Sequence, residues 1–98
     1  MPILDLVKTA RSIRESYESK AKSNPVQLIG PDAANTFNKL LDESKNNCPE
    51  HPFIKKMQPV NPKRTQLAGF LAKVDLLEDS LKTEQSRLLR LLVNRNEM

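Results

Sequence analysis

Cys48 and His51 are the only thiol and the only imidazole in the chain, and they stand close together in Cys48-Pro49-Glu50-His51. A thiol beside an imidazole can act as a nucleophile with a base at hand. The same two side chains are good zinc ligands. Each chemistry needs more than a pair. The base needs a group to orient it, and tetrahedral zinc needs four ligands, so a dimer would have to bring two pairs together. No second motif supplies either. The pair therefore reads as a loop cysteine and a loop histidine, and neither a metal nor another cofactor is expected. Cys48-Pro49 taken as a haem-ligating dipeptide is too short a signal to use.

Carboxylates lead no further. Asp42-Glu43 and Glu78-Asp79 are sequence neighbours, and adjacent residues do not share a helix face. Asp75, Glu78 and Asp79 form a like-charged cluster with Lys82 beside it, which reads as a solvated surface. There is no Glu-x-x-His pair of the kind that binds two irons in a helical bundle, and Gly30 and Gly69 are the only glycines, so no phosphate-binding loop can form. The chain is expected not to be an enzyme and to take no small-molecule substrate.

The formal net charge is +4, and residues 49–66 hold four Lys/Arg against one Glu. Lys55, Lys56, Lys63 and Arg64 make a candidate surface for phosphate or an acidic partner. With them, backbone-directed binding of DNA or RNA is the alternative function, helped by the start of the last helix. A second basic set, Lys82, Arg87, Arg90 and Arg95, lies near the C-terminus. Tyr17, Phe37, Phe53 and Phe70 are the only aromatic residues, and three of them read as core, so base stacking would be scarce. The plain reading of the basic connector is a solvated loop.

What must position these residues is helical. Ninety-eight residues make one domain. One cysteine excludes an internal disulfide and favours a reducing, cytoplasmic setting. The apolar runs are too short to cross a bilayer, and the N-terminus lacks the features of a signal peptide, so no membrane role is expected.

The first helix is expected over about 2–23, with Pro2 at its first position and Ile3, Leu6, Ala10, Ile13, Tyr17 and Ala21 on one face. Arg11, Arg14, Glu15, Glu18 and Lys22 occupy the other side and pair four apart. Asn24-Pro25 ends it. Val26-Gln27-Leu28-Ile29 reads as a loop whose Leu28 and Ile29 plug the core, because a single strand has nothing to pair with. A second helix spans about 32–45, capped by Gly30 or Asp32, with Ala33, Ala34, Phe37, Leu40, Leu41 and Ser44 in one arc.

Four prolines interrupt residues 46–61 and the position just after them, so this is a connector. Residues 51–57 can form one helical turn, with Phe53, Ile54 and Met57 tethering the connector to the bundle. The last helix is expected over about 62–94, with Asn61 as cap and Pro62 in the first turn, for a length of roughly 48 Å. The first two helices together reach about 52 Å and can lie end to end along it. The competing arrangement is a helical hairpin whose long arm overhangs and meets a second copy.

Leu67, Phe70, Val74, Leu77, Leu81, Leu88 and Leu91 recur at spacings of three and four, with Glu84 as the interruption. That is a coiled-coil-like stripe, and other helices must cover it. Beyond Gln85 the pattern broadens to five apolar residues in the six positions 88–93. Burying one leucine contributes roughly 1.5–3 kcal/mol, and four exposed leucines would make a contact patch. Gly69, inside this helix, costs about 1 kcal/mol relative to alanine; close approach of another helix is the expected reason.

The fold class is therefore all-α: a three-helix antiparallel bundle with a long C-terminal helix and a Pro-rich connector. The function expected is a small non-catalytic interaction or assembly module working through helix packing. Leu81, Leu88, Leu89, Leu91 and Leu92 are its partner-facing residues. The partner is a second copy, as a dimer, or another helical protein.

Overall fold

A computed structural model describes the backbone of residues 2–96 and the side chains of residues 2–93. The described residues form four helices: α1 (Ile3–Ser23), α2 (Gly30–Asn47), α3 (Pro52–Lys56) and α4 (Leu67–Asn96). The molecule is an elongated all-α bundle of 53 × 22 × 19 Å.

α1 packs along α4 in the opposite direction. Tyr17 meets Phe70 edge-on at 5.5 Å, while nearer the start of α1 the Arg14 and Arg11 side chains reach Glu78. The register places Ile3 near the level of Ser86. α2 begins beside Thr65, whose carbonyl accepts from the Ile29 N–H at 3.0 Å. It ends at Cys48, which feels the charges of Glu84 and Arg87. It therefore runs in the same direction as α4. Phe37 and Phe70 join the two helices through an edge-on contact at 5.7 Å. The end-to-end placement of the first two helices does not occur. α2 folds back beside α1, because residues 25–29 of the link are hydrogen-bonded to residues 65–68 at the start of α4.

The expected core stripes are largely those observed. Leu6, Ala10, Ile13 and Ala21 are buried on α1, joined by Val7; Ile3 and Tyr17 are partly buried against them. On α2 all six residues of the expected arc are buried. On α4 the stripe from Leu67 through Leu81 is buried.

Several boundaries differ. α4 starts at Leu67, not near 62. Asn61 does cap a turn: its Oδ1 accepts from Lys63 N at 2.9 Å, and its carbonyl from Arg64 and Thr65 N at 3.0 Å each. That turn then breaks, because the next residues pair with 25–29. Leu67 N donates to Gln27 O at 2.7 Å, Ala68 N donates to Pro25 O at 3.0 Å, and Leu28 and Gln66 form an antiparallel bridge. The 26–29 segment thus has a pairing partner after all. Ile29 is buried there, while Leu28 stays half exposed.

α2 starts at Gly30, whose φ of +82° is a left-handed conformation that favours glycine. Ile29 is the capping position, and no side chain caps this helix end. Gly69 is not a close-approach site, since a Cβ there would meet nothing within 4 Å. Of the three tethers expected in the connector, Ile54 and Met57 are buried, but Phe53 is 61% exposed. A stronger tether is Asn38. Its amide donates to Val60 O at 3.0 Å and accepts from Val60 N at 2.8 Å, holding the returning connector against α2.

Candidate functional site

α4 is 30 residues long, roughly 45 Å. The bundle covers its first two thirds. α1 runs out where its first turn comes level with Ser86, and α2 ends beside Glu84. From Ser86 to Val93 every side chain of α4 is exposed, so among the described residues no other helix covers this stretch. Leu89, Leu91, Leu92 and Val93 are each half exposed or more, and Leu88 is 39% exposed. Leu4, at the exposed start of α1, adds to the same end of the molecule. Leu88 and Leu91 continue the stripe that α1 covers further back, so this overhang presents core-like residues with no core around them.

Leu81 does not belong to that surface. It is fully buried, because it still lies under α1. The other four residues named from the sequence, Leu88, Leu89, Leu91 and Leu92, lie together on the overhang. Val93 joins them.

A groove of about 850 Å³ opens on another side of α4, beneath the α2–α3 link. Cys48, His51, Phe53, Leu76, Thr83 and Arg87 are among its walls. Cys48 and His51 therefore do come together in one groove, but each holds a structural position. Cys48 is 3% exposed. Burial pushes its thiol up, the Glu84 carboxylate adds to this, and Arg87 opposes it. A raised thiol pKa leaves little thiolate for nucleophilic work. The His51 ring accepts from Phe53 and Ile54 N through Nδ1, at 3.3 and 3.5 Å, and so caps α3. Among the described residues, no three His, Cys, Asp or Glu side chains are grouped so as to hold a metal ion.

The Arg87 guanidinium grips Glu84 and holds that carboxyl below its usual range, more than offsetting its partial burial. Glu84, the polar interruption in the α4 stripe, is thereby satisfied within the chain.

Glu78 was misplaced by the sequence pattern. It is 2% exposed, not part of a solvated cluster. Arg14 Nε donates to Oε1 at 2.7 Å, and Lys82 Nζ and Arg11 Nε lie 3.0 and 3.5 Å from Oε2 as ion pairs rather than aligned hydrogen bonds. Burial pushes the Glu78 carboxyl up, but Arg14 and Lys82 outweigh it and leave it below its usual value. Asp75 is pushed the other way. Partial burial raises it, and Arg14 at 3.6 Å only partly compensates. These groups lock α1 to α4.

The basic candidates are separated by the connector. Lys55 and Lys56 end α3, while Lys63 and Arg64 sit in the 62–64 turn; all four are exposed. Because α4 starts at Leu67, Lys63 and Arg64 do not stand in its first turn. Among the described residues, no helix is long and apolar enough to cross a membrane.

No family model, curated protein or solved structure matches the chain. The geometry alone therefore carries the functional reading.

Proposed function

We propose that the protein is a small non-catalytic assembly module that associates with copies of itself through the overhang of α4. The observation that supports this is the uncovered run Leu88–Val93, held on a continuous helix whose earlier turns are fully packed. An isolated helix end of this length is marginal in water, and its apolar side chains gain roughly 1.5–3 kcal/mol each on burial. A second copy supplies the same kind of surface at the same concentration. Closed symmetric assemblies are the commonest result of such contacts.

Light scattering behind a sizing column tests the reading. Self-association predicts a mass that rises with concentration above the 11.1 kDa of one chain. A species that stays at one chain mass up to millimolar protein rejects it.

A further inference from the structure

We infer that His51 is a proton-operated latch on the groove: its neutral ring caps α3, and its protonated ring leaves the cap for Glu84 on the opposite wall. This latch is independent of the proposed self-association.

α3 is five residues long and begins with Pro52, which has no N–H to satisfy. Lys55 N donates to the His51 carbonyl at 2.9 Å. Phe53 N and Ile54 N are left as the open donors of the first turn. Both donate to His51 Nδ1, at 3.3 and 3.5 Å, so one ring nitrogen serves both. Ile54 is fully buried, which leaves water little room to stand in for the ring.

Nδ1 accepts only in the neutral imidazole that carries its proton on Nε2; in the imidazolium both nitrogens are donors. A proton on Nδ1 turns the two contacts into opposed N–H groups. It also sets a positive charge at the positive end of a helix. Histidine is the side chain that ordinarily crosses this boundary between about pH 5 and 8.

The surroundings give the charged ring a second seat. His51 is half-buried and lines the groove, so it can turn without unpacking the core. On its own link Glu50 is the charged neighbour, while Cys48, at the end of α2, is buried with its thiol pushed up. The cations of α3, Lys55 and Lys56, lie at its far end. α4 presents Asp79, Glu84 and Arg87 to the groove.

Glu84 already feels the charge of His51, and its carboxyl lies below the usual range. It therefore stays ionised in the acid half of the histidine range. Arg87 holds it, but a carboxylate has about four acceptor positions, so an imidazolium can share it. Acid then frees the first turn of α3 and ties the α2–α3 link to α4 across the groove. Ile54 and Met57 are buried and keep α3 in place, so the change is confined to the groove wall.

Nuclear magnetic resonance at pH 7.5 and pH 5.0 tests the latch. Ring nitrogen shifts report the tautomer, and cross-relaxation from the ring protons reports the neighbours. At pH 7.5 the ring should carry its proton on Nε2 and contact the Phe53 and Ile54 amides. At pH 5.0 those contacts should vanish and contacts to the Glu84 side chain should appear. The Ile54 amide should then exchange about fivefold faster, relative to unfolded peptide at the same pH, as for the loss of one cap. His51→Asn keeps an acceptor that does not titrate, so its Ile54 amide should be equally protected at both pH values. In Glu84→Gln the ring should leave the cap at pH 5.0 without settling on α4. A ring that still contacts the Phe53 and Ile54 amides at pH 5.0 overturns the inference. So does an Ile54 amide that loses protection equally in His51→Asn. Ring contacts to α4 at pH 5.0 that are unchanged in Glu84→Gln overturn it as well.

Discussion

Arg14 Nε lies 2.7 Å from Glu78 Oε1, joining α1 to α4 across 64 sequence positions through a carboxylate that is almost wholly buried. Removing one partner of a buried pair leaves the other without compensation. Glu78→Ala should lower unfolding free energy by about 1–3 kcal/mol, measured by urea denaturation. Arg14→Ala should also destabilise, and the double variant should lose less than the two separate losses added together.

The same carboxylate sets an acid limit. Its folded pKa lies below its ordinary 4.5, so its stabilising contribution is full above that value and is lost as pH falls through the lower, folded pKa. Glu84 acts in the same sense and Asp75 in the opposite one, since its carboxyl is raised. In thermal melts between pH 7 and pH 2, wild type should lose stability towards acid. Glu78→Gln should show a smaller loss over that range. An identical pH profile for both proteins would rule out this role for Glu78.

Leu81 and Leu92 are both in α4, yet one is fully buried and the other 55% exposed. Leu81→Ala should cost about 2–5 kcal/mol in stability. Leu92→Ala should stay within about 0.5 kcal/mol for the single chain while weakening its association. Denaturation at low protein concentration separates the two effects.

Gly69 is exposed on α4 with open space where a Cβ would go. Gly69→Ala should therefore raise stability by roughly 0.5–1 kcal/mol. Gly30→Ala should do the reverse, because φ is +82° there.

Cys48 tests whether the groove holds a reactive thiol. With its thiol buried and its pKa raised, modification by a disulfide reagent at pH 8 should run on the order of a hundredfold slower than in urea-unfolded chain. Rapid labelling of the folded protein would point instead to an accessible, activated cysteine.

The helices were legible wherever a single local rule decided them. Apolar spacing located α1, α2 and the long rod of α4, and the prolines marked the connector. The start of α4 was not legible, because Asn61-Pro62 is a sound helix-entry signal that here forms a separate turn. The pairing of 65–68 with 25–29, a long-range event, cancels its continuation. Glu78 was hidden for a similar reason. Its neighbours Asp75 and Asp79 suggest a wet surface, but it adjoins Leu77 and Leu81 on the helix, and α1 arrives there with Arg11 and Arg14. The clue was the position of Glu78 beside the apolar stripe. Spacing alone also could not separate Leu81 from Leu88, because both continue one stripe. Only the length of α1 decides which of them is covered.

Amide hydrogen exchange along α4, read at increasing protein concentration, tests the central claim most directly. The turns from Leu67 to Lys82 are packed within one chain and should exchange at a rate independent of concentration. Amides beyond Arg87 should exchange rapidly when dilute and slow down as copies meet. Exchange beyond Arg87 that is the same at micromolar and millimolar protein would contradict the claim that this end of the helix is where the protein makes its contacts.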